Sequence, residues 1–393
     1  MRVEGACASG GLALSCGVDA IRAGADVVLI AGVEVQTTAD SRTGADYLAR
    51  ACHYAAQRSI HDFVFPALFA RRSAAYKRKY GATEEDIGRA AVKAYANASL
   101  NPLAHMRAKT LTLAAASVPS DANPLFLNDF EDNAHMKVHT ACLSAVWQPV
   151  FLFLKVYFCR CIFLRSCIKL TPLFKLSDCS QVSDGGSVVL LCSEAGLLAS
   201  SLRASDAVEV LSLSTRTASL YDAPKDLTRL TTCESAASSA YAEAKISASD
   251  IDIAEVHDCF TVTELMMYEA LRLCPPGSAA AMLRAHETDL SGRVPVNTGG
   301  GLVGFGHPVG ATGVKQVVEL WRQMKGKCGA YQLKTIPQIG VCGNMGGEFS
   351  TCCKCLSFAH WRHQASLQVM IALQWYLCCV TARKLPQKSS FVC

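Results

Sequence analysis

Three turns of this sequence carry residues that could do covalent chemistry together. His257-Asp258-Cys259-Phe260 stands about fifty residues ahead of Gly306-His307-Pro308-Val309-Gly310. Cys7 lies in Glu4-Gly5-Ala6-Cys7-Ala8-Ser9-Gly10-Gly11, directly before a helical pattern. A thiolate can attack a carbonyl carbon and hold the acyl group as a thioester. A second thiol and two imidazoles can move protons and steady the charge that develops. Two cysteines and two histidines on these turns suffice for carbon–carbon bond cleavage through a thioester.

Each residue has a plainer reading beside the chemical one. A thiol of ordinary pKa, about 8.5, is only slightly ionised at neutral pH. A helix start would favour its anion by roughly 0.3–1 kcal/mol, and glycine and alanine around Cys7 let the backbone turn tightly there. Cys7 could equally fill a small hole in the core. His307 follows a run rich in glycine, Gly299-Gly300-Gly301-Leu302-Val303-Gly304-Phe305-Gly306, read as an irregular loop. No phosphate-binding G-x-x-x-x-G-K-[ST] pattern is present in it. A histidine fixed in such a loop, with no apolar period around it, reads as a catalytic base or oxyanion donor rather than as core filler. His257 and Cys259 follow a strand, where α/β sheets place ligands. Cys259 could act as a general acid; the plainer reading is packing, with Asp258 capping the next helix.

The elements that must position these turns alternate between strand and helix, which means an α/β architecture. Residues 8–23 have a helical period, ended by Gly24, and Asp26 to Val33 is an apolar run like a buried parallel strand. Residues 40–140 read as mostly helical, with helices at 65–80 and 84–96. The strand–helix pattern returns with strands at 187–192, 208–213 and 253–256, helices at 231–245, 261–272 and 314–325, and closing strands from Gln338.

The bulk numbers allow two domains with substantial cores and exclude a disordered chain. The chain has 393 residues, 51% hydrophobic and 18% charged, with a net charge of +5 and scattered basic residues. That charge suits an anionic small molecule and offers no nucleic-acid stripe. Twenty cysteines without an apolar leader or a zinc-type spacing read as reduced thiols inside a cell, not as disulfides or metal ligands. Two stretches look foreign: residues 145–170 and the tail 351–393 hold nine of those cysteines. The first is interrupted by Lys155, Arg160, Arg165 and Lys169 and contains Pro149, a poor pattern for a membrane span of about twenty apolar residues.

Taken in order, EGACASGG around Cys7, HDCF at 257–260 and GHPVGATG at 306–313 resemble the thiolase superfamily. Within it they are similar to the sterol-carrier-protein type, which has HDCF where most thiolases have Asn-Glu-Ala-Phe. Other thiolases carry Cys-x-Gly near the C-terminus; here that segment reads Asn344-Met345-Gly346. The missing cysteine at 344 agrees with a cysteine at 259 in its place. The resemblance covers about residues 2–144 and 171–350.

The resemblance implies the thiolase fold: two related α/β domains plus a helical loop domain, with the first domain incomplete because the chain starts almost on the nucleophile turn. The expected division is an N-terminal domain 1–200 (loop domain about 40–140, atypical insertion 145–170), a C-terminal domain 201–350 and an atypical tail 351–393. It also implies 3-ketoacyl-CoA cleavage by CoA in lipid metabolism. Cys7 would be the nucleophile activated by His307, and Cys259 the acid. His257 and His307 would hold the enolate oxyanion, and the N–H groups of Cys7 and Gly346 the second oxyanion. No bound cofactor or metal is expected, with coenzyme A as co-substrate. A homodimer or homotetramer in the peroxisomal or mitochondrial matrix follows from the resemblance alone; the final residues, Ser389 to Cys393, are no peroxisomal signal. The alternative is an inactive thiolase-like fragment that binds acyl-CoA or dimerises without turnover. A condensing ketoacyl synthase also uses a cysteine at a helix start, but HDCF argues against it.

Overall fold

The computed structural model describes residues 1–125, 174–200, 202–347, 352–360 and 369–377. The insertion expected at 145–170 lies outside the described residues. Seven strands form one sheet: β1 (Val27–Glu34), β2 (Gly185–Cys192), β3 (Val208–Arg216), β4 (Ile253–Val256), β5 (Ile339–Gly346), β6 (Cys352–His360) and β7 (Val369–Leu377). Their order is β1-β2-β7-β3-β6-β5-β4. Only β4 and β5 run parallel; the other described pairs are antiparallel. The tail, which shows no clear period in sequence, contributes β6 and β7, and β7 joins β2 to β3. Strands from before and after residue 200 thus share one sheet.

Helices cover both faces, as the alternation of side chains along β4 and β5 requires. Ile253 and Cys342 belong to one core, with Leu14, Val18 and Ile21 of helix Ser9–Arg22 and Val314, Val317 and Trp321 of helix Thr312–Met324. Ala254 and Val341 belong to the other, with Ala236 and Ala240 of helix Thr231–Ala244 and Leu265 and Met266 of helix Thr261–Ala270. Helices Val64–Tyr80 and Glu84–Leu100 extend the second core through Phe69, Tyr76, Ile87 and Ala90. The link to helix Thr261–Ala270 is ionic as well as apolar. Buried Lys93 pairs with Glu264 and donates to Tyr268 Oη at 2.8 Å. Burying charges this deep is costly unless they are paired.

β1 departs from the sequence expectation. It is neither parallel nor buried on both sides: it forms one edge of the described sheet, antiparallel to β2. Ile30 and Gly32 face the helices, whereas Leu29 and Val33 are 66% and 68% exposed. An uninterrupted apolar run does not reveal which of its faces is covered.

Candidate active site

Cys7 sits in a tight turn that precedes helix Ser9–Arg22. Ala6 adopts a left-handed φ of 51°, a conformation that costs an L-residue free energy and persists where surrounding contacts impose it. Those contacts are local. Glu4 Oε1 accepts from Gly5 N at 3.1 Å and Ala6 N at 2.8 Å, and Ser9 Oγ accepts from Gly5 N at 2.9 Å. The turn leaves Cys7 partly exposed.

Glycines let a second helix start against this turn. A Cβ on Gly10 would stand 2.7 Å from Val314 N, and one on Gly313 would stand 2.5 Å from Asn344 Oδ1. Backbone therefore meets backbone where Ser9–Arg22 and Thr312–Met324 begin. The second helix brings Thr312 and, five residues before it, His307. His307 Nδ1 is 2.6 Å from Thr312 Oγ1, which itself donates to Pro308 O at 2.9 Å. With its hydrogen on Pro308 O, the hydroxyl accepts from His307 Nδ1–H, and the lone pair falls on Nε2. Nε2 is buried without a hydrogen-bond partner among the described residues.

His257 follows β4, and its ring meets that of His307 edge-on, centroids 5.1 Å apart. One ring nitrogen of each histidine and Cys7 Sγ all lie within 4.8 Å of one another. Burial holds both imidazoles neutral: His307 is lowered to about 3 by desolvation, and His257 falls well below its usual value through desolvation and then the neighbouring His307. A neutral imidazole with a free Nε2 beside a thiol is the arrangement of a general base and its nucleophile.

The remaining candidates are placed as follows. Gly346 ends β5 against the nucleophile turn; a Cβ there would stand 2.6 Å from Gly5 O and 3.0 Å from Ala8 N. Cys259 is not one of the three clustered groups. It is 7% exposed in the apolar core, with its sulfur 4.0 Å from Thr263 Oγ1. Asp258 does not cap the helix that follows it, whose N-terminus has no side-chain cap. It reaches across to accept from Leu302 N at 2.7 Å and Val303 N at 3.3 Å. These bonds satisfy the start of a short helix, Gly301–Phe305, inside the segment read as irregular. The same burial, with Glu264 nearby, pushes Asp258 up to about 8.

Three residues have roles that the sequence reading did not assign. Thr312 orients His307. Gln36 Nε2 donates to His307 O at 2.8 Å. Asn344 donates from Nδ2 to Cys7 O at 3.0 Å and accepts on Oδ1 from Gly11 N at 3.3 Å. Asn344 had a signal: a polar side chain inside the strand Ile339–Gly346 must find partners if buried. Gln36 had none. A cavity of about 1020 Å³ between helix Glu84–Leu100 and residues 283–295 and 332–338 contains none of these groups.

Comparisons with known proteins bear on the family and the fold. The model of the thiolase C-terminal domain-like family matches residues 214–356. An acetyl-CoA acetyltransferase of Methanothermobacter thermautotrophicus is 31% identical over 351 residues, 89% of this chain and 77% of the relative. Human sterol carrier protein 2 is 36% identical over 164 residues, 40% of this chain and 29% of that protein. Among solved structures, the Ltp2-ChsH2(DUF35) aldolase superposes with a TM-score of 0.65 at 20% identity, covering 91% of this chain and 79% of that one. The chain therefore belongs to the thiolase family, with features of the sterol-carrier-protein type, and has the thiolase fold. It is an acyltransferase by class.

Proposed function

We propose that the protein cleaves 3-ketoacyl-CoA with coenzyme A through an acyl-enzyme on Cys7. The observation that supports this most directly is the approach of Cys7 Sγ and one nitrogen of each of His257 and His307 to within 4.8 Å of one another. His307 Nε2 takes the Cys7 proton, and the thiolate adds to the 3-keto carbon. The bond between carbons 2 and 3 breaks, leaving the acyl group on Cys7 and an enolate of the short acyl-CoA. Cys259 gives its proton to carbon 2 of that enolate. Coenzyme A then adds to the acyl-enzyme, its thiol proton passing to Cys259, while Cys7 leaves and recovers its proton from His307. Donors at His257, at protonated His307 and at the N–H groups of Cys7 and Gly346 steady the two oxyanions.

The chemistry is ping-pong, and coenzyme A is its co-substrate. The reading extends to lipid breakdown in a peroxisomal or mitochondrial matrix by a homodimer or homotetramer. Fractionation of cells and light scattering of the purified chain test those parts. The test of the reaction is to mix the purified chain with a 3-ketoacyl-CoA and coenzyme A and follow products by mass spectrometry. Shortened acyl-CoA together with acetyl-CoA or propanoyl-CoA is expected. Acyl-CoA binding without either product would instead favour a fragment that binds and does not turn over.

A further inference from the structure

We infer that Asn344 is a positioning residue that fixes the tautomer of His257, so that the two imidazoles clustered with Cys7 hold opposite tautomers. The orientation of the Asn344 amide is set from two sides by backbone. Its Oδ1 accepts from Gly11 N at 3.3 Å, and its Nδ2 donates to Cys7 O at 3.0 Å. A flipped amide would face a donor with a donor and an acceptor with an acceptor. The second hydrogen of Nδ2 then points at His257 Nδ1, 3.3 Å away. Nδ1 must accept, so the proton of neutral His257 resides on Nε2. Across the site Thr312 imposes the reverse on His307, whose Nε2 keeps its lone pair. One imidazole is thereby a base and the other a donor, although both are neutral and buried.

The same bond has a second consequence. Cys7, His257 and His307 are the one group of three potential metal ligands found this close together among the described residues. A soft thiolate and two imidazoles are a good zinc set, but each imidazole must offer a lone pair. With Nδ1 engaged by Asn344 and a proton on Nε2, His257 has no lone pair to offer the cluster. Asn344 therefore keeps the nucleophile from being captured as a metal ligand.

The inference deepens the thiolase reading and rests on it only for the catalytic consequence; the tautomer is a property of the free protein. Histidine-selective ¹⁵N NMR of the whole chain, with His257→Gln to assign the signals, reads it directly. The wild type should show a pyrrole-type Nε2 on His257. Asn344→Asp should invert this, because a carboxylate accepts from Nδ1–H. Asn344→Ala, checked for an unchanged fold by thermal melting, should release the preference. Zinc titration of the wild type and Asn344→Asp, each with and without Cys7→Ser, provides the second readout. Asn344→Asp should gain one equivalent that depends on Cys7, with affinity at least about 10-fold above the wild type. A pyridine-type Nε2 in the wild type, or an equivalent of zinc bound through Cys7 as tightly in the wild type as in Asn344→Asp, overturns the inference. A correct tautomer in a chain that fails to turn over would leave the inference standing and remove the proposed reaction.

Discussion

The rings of His257 and His307 meet edge to face, their planes at 84° and their centroids 5.1 Å apart. Two imidazoles this close and this deeply buried cannot both be charged. His307 is lowered to about 3, so each ring stays neutral through the range where a free histidine titrates. The rate profile should therefore lack an acid limb near pH 6.5. Measuring kcat/KM from pH 5 to 8 checks this, and a limb at the usual histidine value would show that one ring is solvated.

Those neutral rings also tie stability to pH. A histidine with a depressed folded value binds fewer protons folded than unfolded, so its contribution is complete above about 6.5 and is lost as pH falls. The slope is up to about 1.4 kcal/mol per pH unit per histidine. Glu255 and Asp258 act in the opposite sense, because burial raises them to about 7 and about 8. Their contribution is lost as pH rises from the ordinary carboxylate range towards those values. Urea unfolding at several pH values should give a shallow slope from 4.5 to 6.5, where the two effects offset, and a steeper loss below 4. In His307→Gln the acid loss should be smaller by one proton.

Thr312 tests the orientation of the base. Thr312→Val is nearly isosteric but cannot accept from His307 Nδ1–H. By analogy with second-shell partners of metal-bound histidines, kcat should fall about 10- to 100-fold with little change in KM. Thr312→Ser should restore most of the rate. Equal losses in both variants would mean that the contact serves packing alone.

Gly313 tests the close approach of the two helix starts. A methyl group there would meet Asn344 Oδ1 at 2.5 Å and the Gly10 carbonyl carbon at 2.9 Å. Gly313→Ala should destabilise the fold by about 1–3 kcal/mol, as over-packing does. It should also slow alkylation of Cys7 by iodoacetamide, because the turn that carries the thiol must shift. A melting temperature unchanged from the wild type would place the helices further apart than described.

Much of this was legible in the sequence because the relevant signals are local. Helix Ser9–Arg22 and strand Ile253–Val256 follow from periodicity, and the three turns announce themselves by glycine, histidine and cysteine at strand-to-helix junctions. What was not legible is set across the sheet. Asp258 has the residue type of a helix cap and caps a helix, but one that begins about forty residues later. β1 reads as fully buried because Leu29 and Val33 are as apolar as Ile30; its sequence cannot say that one side of this edge strand is exposed among the described residues. Asn344 looked like the loss of a cysteine. Its use lies in partners 87 and 337 positions away.

Cys259 separates carbon acid chemistry from acyl transfer. Cys259→Ala should lower turnover of 3-ketoacyl-CoA by about 10²–10⁴-fold, the scale of a lost general acid. It should leave Cys7 as reactive towards iodoacetamide as before. Turnover equal to that of the wild type would assign this buried thiol to packing with Thr263.

The central claim is that Cys7 carries the acyl group. It is tested most directly by quenching the chain in acid after mixing with a 3-ketoacyl-CoA in the absence of free coenzyme A, then weighing the peptides. The account predicts an acyl mass on the peptide containing Cys7, absent in Cys7→Ala and in unmixed protein, and discharged by coenzyme A. A wild-type Cys7 peptide that stays unmodified while substrate is consumed would contradict it.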